Sequence, residues 1–446
     1  MSAMSSAHTI SDIYDPRVYE TAPPLDLIDD LRSRQSVVWI DEHELPDWPA
    51  GSGFWLVLRH AEVSTVLKQP SIFSSSAGAT QLRDPATPAD LAYVQQMMLN
   101  MDPPAHSRLR RLLQNSFTSR AVAGLEQSIA EHARNIVDRI CADKSQGECD
   151  FARDIAADMP LLCLADLFGM PSEDRYLLFD WANRVIGFQD PEYATSSYFD
   201  PSVGSDIARE ALKLRPAADA SGRMPDPRTR SGMPDLYHYA HLLAQHKRQH
   251  PGDDIMSLLL AQVDEEGGNV SLAEFENLFW LFAVAGNETV RNGLPGGMIA
   301  LLQHPQALAA LRADLSRLPR AVDEMLRWWT PVMIFRRTAT ADTQLADANI
   351  KKGDKVVVSF LSANRDEQVF DKPQQFDINR HPNPHLTFGY GPHFCLGAQL
   401  ARAQMNALLS EVLQRFASIE PAGEPGFLRS NFQRGVKTLP IRWTRR

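Results

Sequence analysis

The chain has 446 residues, 44% of them hydrophobic, and a formal net charge of −10 at pH 7. That size and apolar content suit a large core enclosing a chamber, and exclude a fibrous or wholly disordered chain. The acidic balance argues against nonspecific nucleic-acid binding, which needs a basic footprint. The four cysteines, Cys141, Cys149, Cys163 and Cys395, are too few and scattered for a secreted disulfide framework. Cys163, inside the apolar run MPLLCLADLFG, reads as a small buried hydrophobe. The opening stretch MSAMSSAHTISDIYDPRVYE lacks the apolar centre of a signal peptide. No window has the roughly 18 apolar residues of a membrane span. The expectation is a cytoplasmic protein without a transmembrane anchor.

Along the chain, FWLVL (54–58) reads as a strand and RHAEVSTVLKQ (59–69) as a helix. Asp102, Pro103 and Pro104 mark a helix start. A basic helix follows over 105–117, with Leu109, Leu112 and Leu113 as its apolar stripe. A second helix carries Leu125, Ile129, Ala133, Ile136 and Ile140 on one face, and DMPLLCLADLFGMP is a third, closed by glycine and proline. The stretch 215–235, RPAADASGRMPDPRTRSGMPD, has no apolar periodicity and reads as a flexible loop or insertion. A solvated linker is its plainer meaning; part of a lid over an entrance is the other. The longest helix spans 272–293, apolar until the polar interruption AGNET, and belongs in the middle of the fold. LPRAVDEMLRWW is a helix ending before Pro331, and FRRTAT and DKVVVSFLS are strand-like. The pattern is mainly α with small β-sheet regions. No break divides it, so 1–446 reads as a single unit.

The most informative stretch is HLTFGYGPHFCLGAQL. Gly389, Gly391 and Gly397 bracket Cys395, which suggests a tight turn or backbone packed against something flat. Leu400, Leu408, Leu409, Val412, Leu413 and Phe416 form an apolar helical face beyond it, so Cys395 stands at a helix N-terminus. Free N–H groups and the helix dipole there favour a thiolate. A thiolate can be a nucleophile, a zinc ligand or a haem ligand, and position alone does not choose. His381, His385, His393 and Cys395 do not match a common zinc spacing.

Phe388, Gly391, Cys395 and Gly397 reproduce the haem loop of the cytochrome P450 superfamily, Phe-x-x-Gly-x-x-x-Cys-x-Gly, and the chain resembles that family. The resemblance implies the family's mainly helical fold, heme b (iron protoporphyrin IX) as cofactor and Cys395 as the iron ligand. Glu324 and Arg327 match the family's Glu-x-x-Arg pair, which is structural, with Arg365 near it. Ala285, Gly286, Asn287, Glu288 and Thr289 match its Ala-Gly-x-acid-Thr pattern. Thr289 would then help deliver protons to dioxygen and Glu288 would connect that site to water, and the small pair 285–286 would let a flat cofactor or dioxygen approach. A threonine there also suits a bond back to the preceding turn. His106, Arg110, Arg337 and His393 fit the positions that bind the haem propionates. Arg336, Arg108 and Arg111 would face solvent or support fold contacts, and the basic ones could help dock an acidic electron donor.

The reaction implied is hydroxylation of a hydrophobic small molecule with dioxygen and electrons from a separate ferredoxin and ferredoxin reductase. The runs VAGNETVRN and NFQRGVKTLPIRW resemble members that oxidise steroids, terpenoids and lipid side chains. Val332, Met333, Ile334 and Phe282 are expected to line the substrate pocket. The alternatives are a peroxide-driven hydroxylase and a non-enzymatic haem-thiolate sensor or ligand carrier.

Overall fold

The long helix begins at Ser271, whose hydroxyl and the Glu274 carboxylate cap each other's backbone N–H groups. It spans Leu272–Gln303, ten residues further than the glycine and proline signals predict. Pro295 lies inside it, and Gly296 and Gly297 leave no room for a side chain because Trp329 and Met325 press against their α-carbons. Close packing against the helix Leu318–Trp329 thus outweighs a proline that costs about 3 kcal/mol in an isolated helix. The computed structural model describes residues 8–446 except 47, 143, 197–198, 263–267 and 269. The first seven residues of the stretch inspected for a leader lie outside these.

The other helices follow their apolar stripes. Ala105–Gln114 buries Leu109, Leu112 and Leu113, and Glu126–Cys141 buries Ile129, Ala133 and Ile136. Asp158–Phe168 buries Cys163 and ends at Gly169, left-handed at φ +55°. Helix Ala398–Arg415 packs on Glu126–Cys141, and both lie against the core that surrounds the long helix.

A five-stranded sheet has the order Val37–Ile40, Phe54–Val57, Lys355–Ser359, Ile334–Ala339, Phe73–Ser74. Its centre, Lys355–Ser359, is buried at every position, as its run of three valines requires. Phe54–Val57 pairs with it in parallel, and the remaining pairings are antiparallel. A three-stranded sheet joins Gln146–Asp150, Pro440–Arg445 and Phe416–Pro421. The architecture is mainly α with small sheets.

Residues 215–229 contain no helix or strand; a 3-10 turn at Arg230–Gly232 leads into the helix Pro234–Gln249. The segment is nevertheless tied down. Arg215 meets the buried carboxylate of Asp180 at 2.6 Å, Pro227 is buried, and Arg228 stacks over Phe188 while holding Asp226 at 2.6 Å.

Candidate active site

Gly389 and Gly391 are left-handed, at φ +73° and +69°, and a β-carbon on Gly391 would lie 2.5 Å from the Leu67 carbonyl oxygen. The loop therefore rests directly on the end of helix His60–Lys68. The Cys395 N–H donates to the Phe388 carbonyl at 2.7 Å, closing the turn two residues before the Gly397 cap of helix Ala398–Arg415. A β-carbon on Gly397 would meet nothing within 4 Å, and Gly397 and Cys395 both line a cavity of about 320 Å³. Cys395 is open to that cavity and enclosed by protein elsewhere. Burial pushes its thiol pKa up, opposed by the Gly397 N–H and the more distant Arg110 and Arg402. The helix-terminal N–H and the two arginines thus work in the direction the sequence suggests, against the burial of the sulfur.

Thr289, Glu288, Ala285 and Gly286 also line the cavity. The Thr289 hydroxyl donates to the Ala285 carbonyl at 3.1 Å, the resting bond that its place in a helix allows. Gly286 also lies against Leu164, which a β-carbon on it would approach to 2.8 Å, so its lack of a side chain lets a neighbouring helix pack closely. Glu288 is 1% exposed and fully partnered. It accepts from the Arg291 guanidinium at 2.8 Å, the Tyr193 hydroxyl at 3.1 Å and the Asn292 amide at 3.2 Å. Arg291 also donates to Asn183 at 2.8 Å and stacks on Phe179. Burial raises the Tyr193 pKa well above its ordinary value, so this phenol remains a donor. Sequence reasoning missed the Arg291–Tyr193 cage. Arg291 was visible at helical spacing from Glu288; Tyr193 was not.

Phe282 and Val332 face the cavity as expected. Met333 and Ile334 do not: both pack into the apolar cluster around Ile13, Tyr14 and Leu56. The strand Ile334–Ala339 alternates, sending Phe335 and Arg337 to the cavity and Arg336 to the other face, where it pairs with Asp84 at 2.5 Å. Phe335 was legible from this alternation once Arg337 faced inward. Arg108 pairs with Glu274 at 2.5 Å, a fold contact.

His106, Arg110, Arg337 and His393 converge on the cavity. The His106 and His393 rings lie 4.0 Å apart, and His393 Nε2 donates to the Met101 carbonyl at 3.0 Å. Buried Arg337 bonds the Arg336 carbonyl, and among the described residues neither it nor Arg110 has a carboxylate within ion-pair distance. The Nδ1 of His106 is buried without a partner. Burial pushes Arg337 down to about 10 and, with nearby Arg110, His106 down to about 4; burial and Arg337 push His393 to about 2. A group bearing two carboxylates beside an open plane would satisfy this set, and the propionates of a haem are such a group.

A pH dependence follows from His106. Its pKa falls from 6.5 unfolded to about 4 folded, so below pH 6.5 the unfolded chain takes up the proton first. Haem-free protein is expected to lose up to about 1.4 kcal/mol of stability per pH unit between those values through this residue. Urea unfolding at pH 7 and pH 5 checks it. His106→Phe should flatten the dependence and haem loading should reduce it; equal slopes in all three would refute the assignment.

Glu324 and Arg327 are both 0% exposed and joined by two bonds of 2.7 Å. Arg327 also donates to the carbonyls of Asn364 at 2.8 Å and Pro373 at 3.1 Å, and Glu324 accepts from the Asp377 N–H and from Arg380. The third member is thus Arg380. Arg365 borders the network, stacking on Trp328, without bonding Glu324. Asn364 accepts from the Leu386 N–H and donates to Thr387, which carries the order of this network into the cysteine loop.

A cysteine at a helix start, an apolar chamber over it and unpaired cations beside it define an enzyme built around a thiolate-ligated prosthetic group. A cytochrome P450 family model matches residues 237–442. A steroid C26-monooxygenase of Mycolicibacterium smegmatis is 34% identical over 430 residues, covering 94% of this chain and 91% of that protein. A methyl-branched lipid omega-hydroxylase of Mycobacterium tuberculosis is 35% identical over 416 residues, covering 93% and 90%. Among solved structures, a Mycobacterium marinum cytochrome P450 in complex with pseudoionone superposes with a TM-score of 0.81 at 33% identity, covering 99% of this chain and 100% of that one. The chain belongs to the cytochrome P450 family and is a monooxygenase of it. The family implies a haem-thiolate iron cofactor, which the donor set above fits. Among the described residues, no helix is long and apolar enough to cross a membrane.

Proposed function

We propose that residues 1–446 form one haem-binding unit, with Cys395 as the axial ligand of heme b, that hydroxylates a steroid, terpenoid or lipid side chain in the cytoplasm. What carries this reading is Cys395 opening into a mostly apolar cavity that Thr289 also lines. The relatives that oxidise a steroid at C26 and a methyl-branched lipid at its omega end support the substrate class. Dioxygen is the oxidant, and a separate ferredoxin with its reductase supplies the electrons.

Haem, when bound, supplies the redox chemistry by which one oxygen atom enters a C–H bond and the other leaves as water. The chain's residues do the rest. The Gly397 N–H favours negative charge on the Cys395 sulfur. Arg110, Arg337, His106 and His393 hold the propionates. Phe282, Val332 and Phe335 exclude water and orient an apolar substrate. Thr289 holds a transferable proton on its hydroxyl at the cavity wall, and the Glu288 carboxylate behind it offers a site that can accept one. That pair supports dioxygen over peroxide as the oxidant.

The test is the absorption spectrum of the reduced protein with carbon monoxide. The long-wavelength band of thiolate-ligated haem is expected, and Cys395→Ala should abolish it. An unchanged spectrum in the variant would overturn the reading. Turnover with peroxide but none with any ferredoxin system would overturn both the oxidant and the electron source, and leave the haem-thiolate assignment standing.

A further inference from the structure

Among the described residues, four arginines line the cavity, Arg83, Arg110, Arg228 and Arg337, against one carboxylate, Glu288, which Arg291 already pairs. Arg110 and Arg337 belong to the propionate-facing set. Arg228 is held by Asp226 at 2.6 Å. Arg83 stands apart: among the described residues no hydrogen bond or ion pair leaves its guanidinium. Its carbonyl accepts from Arg228 at 3.3 Å, which fixes the two residues side by side. Burial and the neighbouring Arg228 push its pKa down, with Asp226 opposing and Arg223 adding to the push.

Arg83 is also the one residue, among those described, that lines both the cavity and a second pocket of about 60 Å³. Arg17, Arg223 and Arg429 line that pocket too, an arginine-rich pocket on a chain of net charge −10. Arg17 is paired with Asp15 and Arg429 with Glu20, whereas Arg83 forms no ion pair among the described residues.

A partly buried guanidinium without an anion is costly, and its planar fork matches a carboxylate through two parallel bonds. The chamber it borders takes an apolar body. We propose that Arg83 binds the carboxylate of an amphipathic substrate whose hydrocarbon body extends through the cavity to Cys395. The inference rests on the monooxygenase reading above and deepens it. Oxidation then falls on the end of the substrate remote from its carboxylate.

The test uses haem-loaded protein and calorimetric titration with palmitate, a steroid side-chain carboxylic acid and the methyl ester of each. Wild type is expected to bind acids more tightly than esters. Arg83→Gln should weaken acid binding roughly 10-fold or more and leave the esters within about twofold; Arg83→Lys should keep part of the preference. A response from palmitate alone assigns the site to fatty acids, and from the steroid acid alone to steroid acids; either supports the inference. Equal affinity for acid and ester in wild type, or equal weakening of all four ligands in Arg83→Gln, overturns it and leaves the monooxygenase reading standing. Binding of none of the four, with the thiolate spectrum intact, overturns both the inference and the proposed substrate class.

Discussion

Arg327→Met is expected to destabilise the protein by about 3–5 kcal/mol, roughly a fifth or more of what an ordinary domain has. The reason is what remains. Glu324 stays buried with Arg380 as its only cation among the described residues, and the carbonyls of Asn364 and Pro373 lose their donor. Asn364 then no longer holds Leu386 and Thr387 in place, so the loop bearing Cys395 loosens with them. Denaturant unfolding and haem content measured together should fall together. Glu324→Met added to Arg327→Met should recover part of the loss, since removing both charges avoids an unpaired one. Recovery is incomplete because the two carbonyls still lack their guanidinium. A loss under about 1 kcal/mol in the single variant would mean that Arg380 alone satisfies Glu324.

The second large effect is expected at Arg291. Arg291→Leu leaves the Glu288 carboxylate buried with only a phenol and an amide. The cost should again be about 3–5 kcal/mol, or Glu288 should protonate to avoid it. Glu288→Gln is expected to be far milder for stability, because a neutral amide tolerates the loss of charge. The double variant should be more stable than Arg291→Leu alone. Activity should separate the roles: product formed per electron pair supplied is expected to drop in both single variants. If Arg291→Leu loses stability yet keeps its product yield, Arg291 is purely structural; if Glu288→Gln also keeps its yield, Glu288 has no part in proton delivery.

Local patterns were the legible part of the fold and site. The cysteine loop could be read because its glycines, its cysteine and its helix lie within a few residues of one another. The stripe of Leu109, Leu112 and Leu113 needed only helical spacing. What escaped was set by residues distant in the chain. The long helix outran its glycine and proline signals because Trp329 and Met325 fill the space beside Gly296 and Gly297. The packing of Leu164 against Gly286 joins residues more than a hundred positions apart. Arg380 reaches Glu324 across 56 residues, a pairing no spacing rule announces. Met333 and Ile334 share their composition with Val332, and only the observed strand geometry separates cavity from core. The burial of the Cys395 sulfur, which opposes the helix terminus, also depends on residues distant in the chain.

Pro227 and Arg228 form part of the chamber wall, although they come from backbone with neither helix nor strand. The cysteine loop is welded to the core through Asn364 and the Glu324–Arg327 pair. One side of the chamber is therefore hard to alter and the other is easy. Substitutions, insertions or deletions at the exposed positions 217–223, between the anchors Arg215 and Pro227, can shift that wall while touching little of the apolar core. Selectivity can thus drift over generations of sequence change without putting the folding of the oxidising centre at risk.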